Sequence, residues 1–255
     1  MLAAFLIAAL PAVAQPPSRN PRNIALAHID VNSADPDAAM AFWKDVIGAE
    51  TYSNGSLTGV SMIGGLIVFT RQAPSGPSAG SAIDHIGLRV PDFQPFIEKL
   101  GKTAFKSFQP TPGGDTLLID GPDGVRIELT EDNSLYGPLE FDHIHFRTTQ
   151  PGDTQAWYAK HFGARPNTGD QLHSSRLAGA TLDFAPADSA APTAGRAIDH
   201  ISFEVKGLQS FCNTLTSDGV KLDSPLEATP PTGLSTVFLT DPWGIRIELT
   251  EAVVH

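Results

Sequence analysis

Apolar and polar positions along this chain recur in four blocks. Each block opens with a strand-like stretch: IALAHIDV, AIDHIGLRV, EFDHIHFRT and AIDHISFEV. The pattern then changes to helical spacing. In the first block Pro36 suits the first helical turn after Asp35, Ala39, Phe42, Val46 and Ile47 follow at helical intervals, and Gly48 supplies a stop. The stretch DTQAWYAKHFGAR repeats this in the third block, with Gly163 in the matching place, and DFQPFIEKLG and LQSFCNTLTSDG are shorter versions in the second and fourth. Short strands close every block: TGVSMIG and LIVFTR, DTLLID and VRIELTE, HSSRLAG and TLDFAP, STVFLTD and IRIELTE.

The opening strands carry the aligned histidines His28, His85, His143 and His200, which are 57, 58 and 57 residues apart. So regular a period marks internal duplication. Blocks one and three resemble each other in their helices. Blocks two and four resemble each other in their endings, where RIELTE stands at Arg126–Glu131 and again at Arg246–Glu251. This pattern implies a two-module unit duplicated whole. It predicts domains at 23–131 and 139–251, joined by a short polar linker over 132–138.

Composition narrows the partners. The 255 residues are 41% hydrophobic and 18% charged, as in a folded globular chain, with 23 Gly and 21 Pro to turn many short strands. The net charge is −11 and no block of Lys or Arg occurs, which argues against nucleic acid and anionic membrane surfaces. The first residues, LAAFLIAALPAVA, are apolar but too short to span a bilayer. They end in the small-x-small pattern Ala12-Val13-Ala14. Residues 1–22 therefore read as a secretory signal with a flexible N-terminal segment, although a basic n-region is missing. The expected location is periplasmic or secreted, with no membrane association after signal removal. Cys212 is the only cysteine, so neither an intramolecular disulfide nor a thiolate-rich metal site can form.

The βαβββ order repeated in pairs, with DHI on opening strands, the helix end Phe42-Trp43-Lys44-Asp45-Val46-Ile47-Gly48 and the strand signature Asp241-Pro242-Trp243-Gly244-Ile245-Arg246-Ile247-Glu248, resembles the vicinal oxygen chelate superfamily. This is the glyoxalase, bleomycin-resistance and extradiol-dioxygenase group. The resemblance implies an α+β fold of four modules forming two tandem domains, each a curved eight-stranded mixed sheet around a metal-lined cleft.

Side chains alternate faces along a strand, so His28, His85 and Glu128 can converge if their faces line one cleft. The second domain offers His143, His200 and Glu248. Two imidazoles and a carboxylate on one side of a cation leave positions open for water, substrate or oxygen. Glyoxalase-type members add a carboxylate or amide from the last strand of the first module of each pair. In this chain that place is held by Val68 and Asp183, each 40 residues after its histidine. The second domain is thus expected to hold the tighter site, with His143, Asp183, His200 and Glu248. His145 shares a face with His143 and could contact substrate or act as a ligand. Arg126 and Arg246 precede the candidate glutamates by two residues, where a guanidinium could pair with a substrate oxyanion or neutralise the Glu. His161, His173 and His255 read as packing or solvent residues, and Asp120 and Asp241 as turn residues.

The leading functional expectation is a divalent-metal lyase or isomerase resembling glyoxalase I. It would use Zn, Ni, Fe or Mn, with Glu248 and, in the first domain, Glu128 as the candidate bases for a small vicinal-oxygen substrate. The runner-up is a non-haem Fe(II) dioxygenase. Ring-cleaving members carry an extra His and a Tyr upstream of the last Glu, whereas here Phe238 stands near the Tyr place and 226–237 contains no His. A third reading is a ligand-sequestering protein of the bleomycin-resistance kind. A homodimer is a possible assembly.

Overall fold

The computed structural model describes residues 18–55, 57–108, 114–167, 173–229 and 234–252. The apolar run read as an export signal and His255 lie outside the described residues. No described helix is long and apolar enough to cross a membrane.

Each block folds as strand, helix and three strands. The first contains β1 (Ile24–Ser33), α1 (Pro36–Phe42), β2 (Glu50–Asn54), β3 (Leu57–Met62) and β4 (Gly65–Arg71). The second contains β5 (Ile83–Val90), α2 (Gln94–Leu100), β6 (Lys106–Phe108), β7 (Thr116–Asp120) and β8 (Arg126–Glu131). The third contains β9 (Glu140–Thr148), α3 (Pro151–Phe162), β10 (Arg165–Pro166), β11 (His173–Leu177) and β12 (Ala180–Pro186). The fourth contains β13 (Ile198–Val205), α4 (Leu208–Ser217), β14 (Glu227–Thr229), β15 (Leu234–Thr240) and β16 (Arg246–Ala252). The helix signals act as their chemistry dictates. Asp35 accepts the Ala38 N–H at the start of α1, and the chain then winds through a wider π turn to Gly48 at φ 88°. Gly163 ends α3 in the same left-handed conformation, at φ 68°.

The strands form two eight-stranded mixed sheets, β14-β15-β16-β13-β1-β4-β3-β2 and β10-β11-β12-β9-β5-β8-β7-β6. The first joins block four to block one, and the second joins block three to block two. Neither sheet is therefore contained in the contiguous stretches 23–131 and 139–251 expected from the duplication. The connections between blocks explain the exchange. The Gly- and Pro-rich segment 72–81 carries the chain from the first sheet to the second, and 187–196 carries it back. The two run side by side, with Ser75 N donating to Gly195 O (2.7 Å), Ala82 N to Ala191 O (2.8 Å) and Ala191 N to Gly80 O (3.1 Å). Between them, the short 132–138 link lets β9 return antiparallel to β5.

Contiguous blocks still pack, but through their helices rather than a shared sheet. Phe42 of α1 meets Phe105 of block two edge-on at 4.8 Å. Phe162 of α3 meets Phe203 of β13 at 5.0 Å and Phe211 of α4 at 5.9 Å. The Tyr158 hydroxyl, fully buried, donates to Asp241 at 3.1 Å. One continuous apolar core results, spanning all four blocks.

Candidate metal centres

The central strand pairs, β1 with β13 and β5 with β9, bring the four histidines together across the halves. Both ladders break register at the step into each histidine. Partners jump between Leu26 and His28 on β1, between Ile83 and His85 on β5, across Asp142 on β9 and across Asp199 on β13. A bulge of this kind inserts one unpaired residue and re-aims the side chains around it. It sets the inserted residue beside the histidine that follows. That residue is Asp84, Asp142 or Asp199 in three cases and Ala27 in the fourth. Each Asp then holds Nδ1 of its histidine: 2.9 Å for Asp84–His85, 3.0 Å for Asp142–His143 and 2.7 Å for Asp199–His200. A carboxylate at Nδ1 fixes the tautomer and leaves the Nε2 lone pair facing away, as a ligand requires.

In the β1–β13 centre, Nε2 of His28 lies 3.4 Å and Nε2 of His200 3.8 Å from the same oxygen of Glu248. Asp30 joins them; its register partner is His200, and Thr70 donates to its Oδ2 at 2.9 Å. Phe238 packs edge-on against His200 at 5.3 Å. In the β5–β9 centre, Glu128 lies 3.4 Å from Nε2 of His85 and 3.9 Å from Nε2 of His143. The His145 ring stacks on His85 with centroids 4.2 Å apart.

The histidine and glutamate set expected from sequence is therefore present but grouped differently. His28 does not share a site with His85 and Glu128; it sits with His200 and Glu248. His143 sits with His85 and Glu128, not with His200 and Glu248. Asp183 pairs with His145 in the β12–β9 ladder, on the face of His143, but forms no side-chain hydrogen bond or ion pair among the described residues. Val68 occupies the equivalent place opposite Asp30 and is buried.

The arginines, expected either to pair with a substrate oxyanion or to neutralise the glutamate, both turn to aspartates. Neither neutralises its glutamate. Arg246 donates to Asp199 at 2.7 Å and lies over the Phe238 ring at 4.2 Å. Arg126 holds Asp120 at 2.8 Å and lies 3.8 Å from Asp84. Both thus stand behind a histidine-holding Asp and away from the glutamate. His161 is a packing residue, buried against Trp157 at 5.0 Å. Asp30 and the three dyad aspartates were missed as site residues. The signals that could have found them are the place two residues after an aligned histidine, and the D of each DHI or DHIH.

Electrostatics follow from these contacts. Burial lowers His28 to about 4 and, together with His85 and His143 nearby, lowers His145 to about 3. Burial also opposes protonation of His200, but Asp199 and Glu248 outweigh it and push that group up to about 9. For Glu248 and Glu128 burial is likewise outweighed, here by the histidines, and both carboxyls are held below the usual range. Asp84 and Asp199 fall to about 2: burial opposes, and the bonds from their histidines win.

The residues fit a divalent cation. Nε2 of His85 and Oε2 of Glu248 are buried with no hydrogen bond of good geometry among the described residues. Unsatisfied buried polar atoms are costly, and one stands in each cluster of imidazole and carboxylate. The ligating atoms of His28, Asp30 and His200 lie within 4.8 Å of one another, as do those of His85, His143 and His145. Imidazole with carboxylate suits Zn, Ni, Fe or Mn.

Residues 140–249 match the family model of the Glyoxalase/Bleomycin resistance protein/Dioxygenase superfamily. Glyoxalase I from Zea mays superposes with a TM-score of 0.70 at 14% identity, covering 90% of this chain and 92% of that one. A "putative dioxygenase" from Bacillus subtilis subsp. subtilis str. 168 gives 0.64 at 15% identity, with 89% and 85% covered. No curated protein matches. The sequence likeness to this superfamily thus covers residues 140–249, and the tandem fold is shared with these solved structures over about nine-tenths of the chain.

Proposed function

We propose that this protein is a divalent-metal-dependent lyase or isomerase, like glyoxalase I, acting on a small molecule with two vicinal oxygens. The observation that carries this reading is a half-buried glutamate facing two Nε2 atoms in each centre, with the opposite nitrogen anchored in three of the four histidines. His28, His200 and Glu248, with Asp30, would hold the ion in one centre. His85, His143 and Glu128, with Asp183 opposite His145, would hold it in the other. The ion, when bound, supplies Lewis acidity toward a carbonyl oxygen. The chain's own part is proton handling. Glu248 and Glu128 stay ionised beside their histidines, so either can take a proton from the carbon next to a carbonyl and return it to the neighbouring carbon. Burial around the glutamates limits water as a competing proton source.

The test is turnover of 2-oxoaldehydes, with and without thiol cosubstrates, by protein stripped with chelator and reloaded with Zn, Ni, Mn or Fe. The combined E128Q and E248Q variant should lose at least about 100-fold in rate while keeping its circular dichroism spectrum. Undiminished turnover would remove both glutamates as bases.

A dioxygenase is the second reading, and His145 favours it. An imidazole kept uncharged beside the β5–β9 cluster supplies an acid–base group that the strand before Glu248 lacks. Iron in the purified protein, with cleavage of catechols, would select it. A protein that binds no metal and turns over no substrate would point to ligand sequestration. We also propose export through the N-terminal apolar segment; a mature chain beginning at Met1 would contradict that.

A further inference from the structure

The duplication makes the two centres comparable position by position. His28 corresponds to His143, His200 to His85 and Glu248 to Glu128. One correspondence is unequal. Asp30 follows His28 by two residues and pairs with His200, and His145 follows His143 by two residues and pairs with His85. The same point in each centre thus presents a carboxylate in one and an imidazole in the other.

Both groups lie within a small side-chain shift of a shared ion. Donors on one ion with bonds near 2.1 Å lie up to about 4.2 Å apart. Asp30 with His28 and His200, and His145 with His85 and His143, fall within 4.8 Å. Asp30 is buried at 6% exposure, and Thr70 donates only to its Oδ2. His145 lies flat on His85 at an interplanar angle of 17°. The strand beside each group differs as well: Val68 closes the β1–β13 centre with an apolar wall, and Asp183 faces the β5–β9 centre.

We infer that the two centres are built for different cations: the β1–β13 centre, through Asp30, for an oxygen-preferring ion such as Mn²⁺, and the β5–β9 centre, through His145, for an imidazole-preferring ion such as Zn²⁺ or Ni²⁺. The inference rests on the metal-dependent reading above. Its physical basis is donor chemistry. Two carboxylates with two imidazoles offer mainly hard, anionic oxygen, whereas His145 gives the β5–β9 centre a third imidazole beside Glu128 and Asp183 and shifts its donors toward borderline nitrogen; softness matching rather than raw affinity separates these ions.

The experiment uses the full chain, stripped with chelator, in wild-type, Asp30→Asn and His145→Gln forms. Mn²⁺ binding is read by electron paramagnetic resonance and Zn²⁺ binding by calorimetry. Wild-type protein should take one Mn²⁺ about tenfold or more tightly than a second. Asp30→Asn should weaken that event about tenfold and leave two Zn²⁺ per chain; His145→Gln should weaken one Zn²⁺ event about tenfold and leave the tight Mn²⁺ unchanged. Two equivalents of each ion with one shared affinity, unmoved by either substitution, would overturn the inference and leave the metal-dependent reading standing. Wild-type protein that binds neither ion would overturn both.

Discussion

At the scale of single residues, the centres depend on what stands before each histidine. Three of the four have an aspartate on Nδ1; His28 follows Ala27 and has none. The anchored His200 titrates at about 9, so through neutral pH a metal at the β1–β13 centre must displace its proton. The sign follows: affinity there should rise with pH, by about tenfold per unit for one displaced proton, and level off near the His200 value. His28, at about 4, adds nothing to this slope. Asp199→Asn removes the charge that holds the proton. It should flatten the slope above neutral pH and weaken the metal about 10- to 100-fold through loss of orientation. Binding followed by calorimetry from pH 6 to 9 checks this, and a pH-independent affinity would contradict it. Most of these residues were legible, because the period of the histidines and the double RIELTE exposed them. Asp30 was missed although it stands two residues after an aligned histidine, because that spacing gives only a shared face and its closeness to His200 comes from strand pairing. The roles of Arg126 and Arg246 were not legible for the same reason: sequence spacing places them on the face of the glutamates, but only the fold shows that each turns to an aspartate.

Among the elements, the bulged strand pair decides the outcome. Alternation along a regular strand predicts that Asp84 and His85 face opposite sides of the sheet. The inserted residue breaks that rule, which makes the dyads possible and also hid them from sequence reasoning. The close approach of β5 to β9 depends on Gly87. A Cβ there would lie 2.1 Å from Cε1 and 2.6 Å from Nε2 of His143, a contact that the ring can relieve only by moving. Gly87→Ala should therefore eject His143 from its place. The expected result is loss of metal from the β5–β9 centre alone and destabilisation of about 1–3 kcal/mol. Native mass spectrometry of metal-loaded protein with thermal unfolding reads both, and full occupancy would contradict the account. The strands directly after the helices (β2, β6, β10 and β14) were not resolved in the hydrophobic pattern. They are short and lie at or toward sheet edges, where burial on a single face leaves a weak period.

For the whole molecule, repeats gave the modules but not their partners. Four βαβββ units can close into two sheets by pairing neighbours in sequence or by pairing the first with the fourth and the second with the third. Both choices satisfy the same apolar pattern and bury the same strand edges. Here the paired crossovers at 72–81 and 187–196 select the second. The grouping of ligands follows from that choice and from nothing in the local motifs. Counting tightly bound Zn²⁺ per chain in two double variants tests it directly. If His28 and His200 share one centre while His85 belongs to the other, His28→Ala with His200→Ala leaves one ion per chain, and His28→Ala with His85→Ala leaves none. The reverse result would place the metals within contiguous halves of the chain and contradict the structure's central assignment.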